Sequence, residues 1–418
     1  MKFFCILLGL SLLIYFQSKA DDNSSNKQIQ VLPCKMFPVN NIWNTPIDKL
    51  PIDTHSDLWV TTIGKAVSLH PDFGSGTWNG GPIGIPYIVV NGNQPKVNIT
   101  FEYSDESDPG PYPIPPNAPI EGGSASSGDR HILVLDKDNC ILYETWSTYP
   151  NGDGTWHAGS GAIFDMNSNN LRPDGWTSSD AAGLPILPGL VRYDEVAEGE
   201  INHAIRLTVP NSRRAYVWPA RHYASSKTSI EYPPLGQRFR LKSSVDISKF
   251  SQHGQVILKA MKKYGMILAD NGSAWFISGA PDANWNDDSL NQLKQIKGND
   301  FEAVDCSSLM INANSGEAKQ ENTTVNDINI IETNISAIFN AQTSELIVKL
   351  FFAENSNATI ELVDLQGNKI SVLENETFLR AENQITLSNS YIKRLENGVY
   401  FLILRNGKIL KTCKFIKY

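Results

Sequence analysis

Short apolar runs bounded by Gly, Asn, Asp and Pro recur along most of this chain, the pattern of β-strands separated by turns. Residues 85–90 and 97–103 predict strands around Asn91-Gly92. Residues 131–135 (HILVL) and 141–146 (ILYETW) flank Asp136-Lys137-Asp138-Asn139, a hairpin signal. Further strands are predicted at 201–209, 215–218 and 237–242. One stretch changes period. In residues 253–264, Val256, Ile257, Ala260, Met261 and Tyr264 fall on one helical face, and Gly265 suits the position just past the helix. A second hairpin is predicted from 266–269 and 274–278 across Asp270-Asn271-Gly272. Residues 104–128 are so rich in Pro, Gly and Ser that they predict a long surface loop, and such loops are often functional. The expected fold is mainly β. Residues 33–306 would form a β-sandwich or jelly-roll-like domain with long loops and one packed helix.

The two ends carry different patterns. Lys2 followed by the apolar stretch Phe3–Phe16 and the small residues Ser18 and Ala20 reads as a secretory signal over 1–20, cleaved after Ala20. Residues 21–32 then form a short N-terminal segment. Residues 307–329 are polar and rich in Ser, Asn and Glu, as expected of a flexible linker. Beyond it, strand-like runs at 344–352, 358–363, 370–373 and 399–404 predict a small Ig-like β-sandwich over 330–418. Its ending runs Leu395-Glu396-Asn397-Gly398-Val399-Tyr400-Phe401-Leu402, then Asn406-Gly407-Lys408 and a basic strand through Lys411, Lys414 and Lys417. This region resembles the type A C-terminal sorting domain of the type IX secretion system of Bacteroidota. The resemblance implies a secreted or surface-displayed protein read by outer-membrane machinery. It also implies that the domain is then removed or exchanged for a surface anchor. It accounts for the basic tail, since residues 393–418 hold seven Lys or Arg against one Glu.

Composition narrows the rest. The chain has 418 residues, 41% of them hydrophobic and 19% charged, with a net charge of −8. That is a globular composition, and the acidic balance argues against nucleic-acid binding. Secretion would permit disulfides among Cys34, Cys140, Cys306 and Cys413, whose pairing the spacing leaves open. All nine Trp lie between Trp43 and Trp285, and all seven His between His55 and His253, so the chemistry is expected in residues 33–306.

Nine of the twelve Arg fall between Arg130 and Arg240, interleaved with His131, His157, His203 and His222. Aromatic faces stack on sugar rings, Arg can neutralise uronate or sulfate, and His, Tyr or carboxylates move protons. The expected catalytic residues are therefore His157, His131, His203, His222, Arg192, Arg221 and Tyr193. Trp156, Trp146, Arg130 and Asp129 are the expected substrate contacts. Each has a structural alternative. His131 and His203 share strand faces with apolar residues and could be core histidines. Arg206 lies opposite His203 and suits a salt bridge, and Arg192-Tyr193-Asp194-Glu195 suits a solvated ion-pair network. Gly159-Ser160-Gly161 does not match a nucleophile elbow. Asp153 and Asp287-Asp288 resemble only fragments of calcium loops, and the histidines lack metal-ligand spacing, so no metal or cofactor is expected, with calcium left as the alternative. The function expected is action on extracellular polysaccharide, as a lyase or glycoside hydrolase. The alternative is a non-catalytic glycan-binding or adhesion protein.

Overall fold

The computed structural model describes residues 32–320 and most of 334–417. The expected signal over 1–20, nearly all of 21–32 and residues 321–333 lie outside the described residues. The chain divides into two compact units that meet between Gln320 and Glu321.

In the first unit a mixed six-stranded sheet has the spatial order β1 (His70–Asp72), β14 (Phe276–Ser278), β11 (Ile205–Val209), β13 (Met266–Asn271), β12 (Arg238–Leu241), β15 (Phe301–Val304). A four-stranded sheet has the order β10 (Ser160–Asp165), β7 (Ile141–Trp146), β6 (Ile132–Asp136), β4 (Tyr87–Val90). A small sheet joins β5 (Ile99–Phe101), β9 (Trp156–Ala158) and β8 (Tyr149–Pro150), and β2 (Thr77–Trp78) pairs with β3 (Gly81–Pro82) as a ribbon.

Alternation along β6 explains the layering. Leu133 and Leu135 enter the main core, together with Leu142 of β7, Phe164 of β10 and Leu207 of β11. Ile132 and Val134 point the other way, into a second core with Tyr112, Ile114, Tyr143 and Trp156. Both faces of the four-stranded sheet are therefore covered, which is why β6 is buried throughout.

The predicted helix is α3 (Gln252–Lys263), with Val256, Ile257, Ala260 and Met261 buried. Ser251 caps it by accepting from the Gly254 N–H, and Lys262 and Lys263 sit at its negative end. Gly265 follows with φ of +68°, and a Cβ there would collide with the Phe239 carbonyl. Shorter helices accompany it: α1 (Ser56–Ile63), α2 (Tyr193–Glu198) and α4 (Asp287–Gln292).

Three expectations are corrected. β13 and β14 do not form a hairpin, because β11 lies between them, parallel to β13 and antiparallel to β14. Trp275, fully buried with its Nε1–H on the Gly64 carbonyl, carries the chain across to the far side of β11. Residues 215–218 make a single bridge, Tyr216 with Leu235, and no strand. Residues 307–320, expected in the linker, are held on the first unit: Glu317 bridges Asn41 and Ser315 bridges Asn170. The Arg221 guanidinium and Trp218 Nε1 donate to the carbonyls of Ala313 and Ser315, which supplies the partners this polar stretch needs. The loop over 104–128 is anchored too, since Tyr112 and Ile114 are buried in the second core.

Cys34 and Cys140 form a disulfide, while Cys306 and Cys413 are free thiols. The second unit is a sandwich of two sheets. One is β16 (Asn334–Asn340), β17 (Glu345–Phe352), β20 (Ala381–Leu387). The other is β19 (Lys369–Phe378), β18 (Ser356–Val363), β21 (Gly398–Asn406), β22 (Ile409–Lys417). Alternating residues such as Leu346, Val348, Ile360, Leu362, Leu402 and Leu404 fill its core. A short helix, α5 (Ser390–Arg394), completes it. Among the described residues no helix is long and apolar enough to cross a membrane.

Candidate functional site

A cleft of the first unit has a volume of about 460 Å³. It opens where the chain entering β6, the end of β7, the start of β10 and the end of β13 come together with the loop 177–181. Its lining includes Tyr103, Glu106, Asp129, Trp146, Asp180, His222 and Asp270. Among the described lining residues there is no Lys or Arg.

Two glycines that the sequence left unexplained shape this wall. A Cβ on Gly159 would enter the Trp146 ring, and one on Gly161 would enter the Phe101 ring. Both glycines let aromatic rings lie against the backbone of residues 159–161. Trp146 is oriented further by its Nε1–H, which donates to Asp129 Oδ1 at 3.2 Å. Tyr103, 45% exposed, stands beside it with ring centroids 6.3 Å apart. Together the two rings offer an exposed aromatic surface at the cleft.

Behind the lining lies a buried charge network. The Asp180 carboxylate, fully buried, receives Arg206 Nε and Nη2 at 2.7 Å each, a bidentate pair. Arg206 Nη1 donates to Ser278 Oγ, and Asp270 Oδ2 lies 3.6 Å from Nη2. Burial pushes the Asp270 carboxyl up, the adjacent Asp180 charge pushes it further, and Arg206 only partly opposes them. The result is a value of about 7.

His131 is buried, with Nδ1 2.5 Å from Glu121 Oε2 and Nε2 3.0 Å from the Ser179 carbonyl. Both nitrogens face acceptors, so both carry protons and the ring is an imidazolium. Burial alone would lower its pKa, but the Glu121 charge and hydrogen bond more than offset that and raise it to about 9. The Glu121 carboxyl feels burial upward, yet the His131 pairing holds it below its usual range. Glu121, Asp129 and His131 have ligand atoms close enough to surround a cation. To bind a cation there, His131 would first have to give up the proton it shares with Glu121. Glu144 is also fully buried. It accepts from the N–H groups of Ile186 and Leu187 and from Ser179 Oγ, and burial raises its carboxyl to about 7 against those bonds.

His222 stands at the rim. Its Nδ1 lies 3.0 Å from the Ala181 carbonyl and so carries the proton. Nε2 is left toward the cleft, 3.9 Å from Glu106.

The residues picked out in the sequence divide on this geometry. His222, Asp129 and Trp146 line the cleft, and His131 lies behind it. Arg130 sits between Asp129 and His131 but spends its guanidinium on the carbonyls of Ser124, Ser126 and Thr148, with Tyr149 stacked on it at 4.2 Å. Arg221 is likewise held by the carbonyls of Arg172 and Ala313. His157 is exposed on β9, bonded to Thr100, and Trp156 is buried in the second core; neither lines this cleft. His203, Glu195 and Arg192 form a separate ion cluster. Arg192 and Tyr193 line a different cavity of about 100 Å³. Arg206 makes the salt bridge expected of it. Asp153 accepts from the Thr155 N–H and hydroxyl, and Asp287 from the Ser75 N–H and hydroxyl.

Glu106, Glu121, Glu144 and Asp270 were not legible as site residues. Asp270 sits in an Asp-Asn-Gly sequence that reads only as a turn, and Glu106 and Glu121 lie in the Pro/Gly-rich loop.

Comparison with known proteins bears on the second unit. Residues 338–418 match the secretion system C-terminal sorting domain family. No curated protein matches the chain. Among the solved structures that align with it is that of PorZ, described as an essential bacterial surface component of the type IX secretion system of Porphyromonas gingivalis. The alignment has 10% identity, covers 73% of this chain and 47% of that one, and has a TM-score of 0.17. This chain thus spans about half of the PorZ chain, and the superposition is too poor to carry an argument. The sandwich of β16–β22, with its basic terminal strand, is a type IX secretion system C-terminal sorting domain, and it marks the chain for export out of the cell or to its surface.

Proposed function

We propose that the first unit is a glycoside hydrolase acting on extracellular polysaccharide in the 460 Å³ cleft. The observation that carries this reading is the carboxyl pair Asp270 and Asp129 beside the Tyr103–Trp146 surface. Asp270, raised to about 7 by burial and by Asp180, keeps its proton near neutral pH. It is the general acid that protonates the leaving glycosidic oxygen. Asp129 is exposed at the same cleft and is the carboxylate that acts from the other side, on water or on the anomeric carbon. Trp146 and Tyr103 stack on the sugar ring and hold it in place. Asp180 is a positioning residue: with burial, its charge keeps Asp270 protonated against the opposing pull of Arg206.

A lyase is supported less well. It needs a cation to neutralise a uronate carboxylate, and Arg130, Arg206 and Arg221 are already committed to partners within the protein.

The test incubates the full chain with a panel of neutral, amine-bearing and uronate-bearing glycans, recording reducing ends and absorbance near 235 nm. The expected result is reducing ends without absorbance, and a loss of about 10²–10⁴-fold in Asp270→Asn. Absorbance rising with reducing ends would replace the hydrolase by a lyase. Glycan retention with neither signal would leave an adhesin.

A further inference from the structure

We infer that the sugar chain taken by this cleft carries free amines, as in glucosamine-rich polysaccharide, and that uronates are rejected. The inference rests on the hydrolase reading for the location of the site, and on charge and geometry for its content. Four carboxylates line the cleft: Glu106, Asp129, Asp180 and Asp270. Hydrolysis uses Asp129 and Asp270, and Asp180 is neutralised by Arg206. The imidazolium of His131 is likewise spent on Glu121. Glu106 remains as a carboxylate that the chemistry does not need.

Its place is specific. Tyr103 and Glu106 bracket one 3₁₀ turn, closed by the Glu106 N–H on the Tyr103 carbonyl. One Glu106 oxygen is fixed by the Thr177 N–H. An aromatic face and an anchored carboxylate thus sit one turn apart. A stacked sugar bearing an ammonium group would meet both, the ring through its C–H face and the charge through Glu106. The neighbouring His222 turns Nδ1 to the Ala181 carbonyl and leaves Nε2 3.9 Å from Glu106, beyond hydrogen-bond distance. A uronate in the same place would face carboxylates with no Lys or Arg among the described lining residues to offset them.

The experiment measures binding of three probes to the full chain by tryptophan fluorescence and calorimetry in slightly acidic buffer: a glucosamine hexamer, its fully N-acetylated form and an oligogalacturonate. The amine form is expected to bind tightest and to weaken as salt rises. Glu106→Gln is expected to weaken it by about tenfold, the loss of one charged hydrogen bond, with little change for the acetylated form. Equal binding of all three, preference for oligogalacturonate, no binding of the amine form, or no response to Glu106→Gln would overturn the inference. Asp270→Asn separates the two claims. If amine binding holds but neither wild type nor variant cleaves, the hydrolase reading fails alone. If wild type cleaves a neutral or acidic chain and Glu106→Gln does not matter, the amine inference fails alone.

Discussion

Single residues carry most of the chemistry here, and their burial decides their charge. Asp270 illustrates the sign. Its carboxyl is raised in the folded protein, so ionising it costs stability. The penalty is absent at low pH and is incurred as pH rises from the ordinary carboxylate range to about 7. Asp270→Asn is therefore expected to melt no lower than wild type above neutral pH while losing activity, a combination that thermal melts and rate assays on one sample would show. Melting well below wild type would mean that Asp270 holds the fold instead. Asp180 matters through its partner. Asp180→Ala leaves Arg206 buried without its bidentate partner, and a loss of about 3–5 kcal/mol is expected in urea unfolding. Glu144→Ala strands the N–H groups of Ile186 and Leu187 and the Ser179 hydroxyl. Roughly 3 kcal/mol or more should be lost, whereas Glu144→Gln keeps an acceptor for them.

At the scale of elements, local pattern was a good guide and long-range pairing was not. The β6–β7 hairpin and α3 were legible because alternation, turn residues and caps lie within a dozen residues. The insertion of β11 between β13 and β14 was hidden, since a strand more than fifty residues upstream leaves no mark on the turn that follows β13. For the same reason His131 and Asp129 were visible as candidates while Asp270, their neighbour in space, was not. In the second unit, α5 depends on the far end of the chain. Lys417 Nζ, nearly buried, donates to the carbonyls of Ile392, Lys393 and Leu395. These are the groups a short helix leaves open at its C-terminus, and an ammonium also suits that end of the helix dipole. Lys417→Met is expected to destabilise the sorting unit by about 1–3 kcal/mol, read as faster hydrogen exchange in 390–395. Unchanged exchange there would remove Lys417 as the cap.

The whole molecule joins an address to a larger first unit. The address was legible in the sequence because its terminal pattern is compact: a Gly-led strand, an Asn-Gly turn and a basic last strand. The Cys34–Cys140 disulfide fits a protein that leaves the reducing cytosol. It closes 106 residues of separation, and opening it in Cys34→Ser/Cys140→Ser is expected to cost about 4–5 kcal/mol by chain entropy, checked by denaturant unfolding. Export is expected to follow the second unit: residues 321–418 fused to a periplasmic reporter should carry it out of the cell, and retention of that fusion would contradict the assignment.

The most direct test of the catalytic account is the pH dependence of kcat/KM on the glycan the protein cleaves. The acid must hold its proton to act, so the rate should fall as pH rises through about 7, the value to which burial and Asp180 raise Asp270. Asp270→Asn should lose that limb together with the activity. A profile that stays flat through neutral pH, or an Asp270→Asn variant that keeps the wild-type rate, would contradict it.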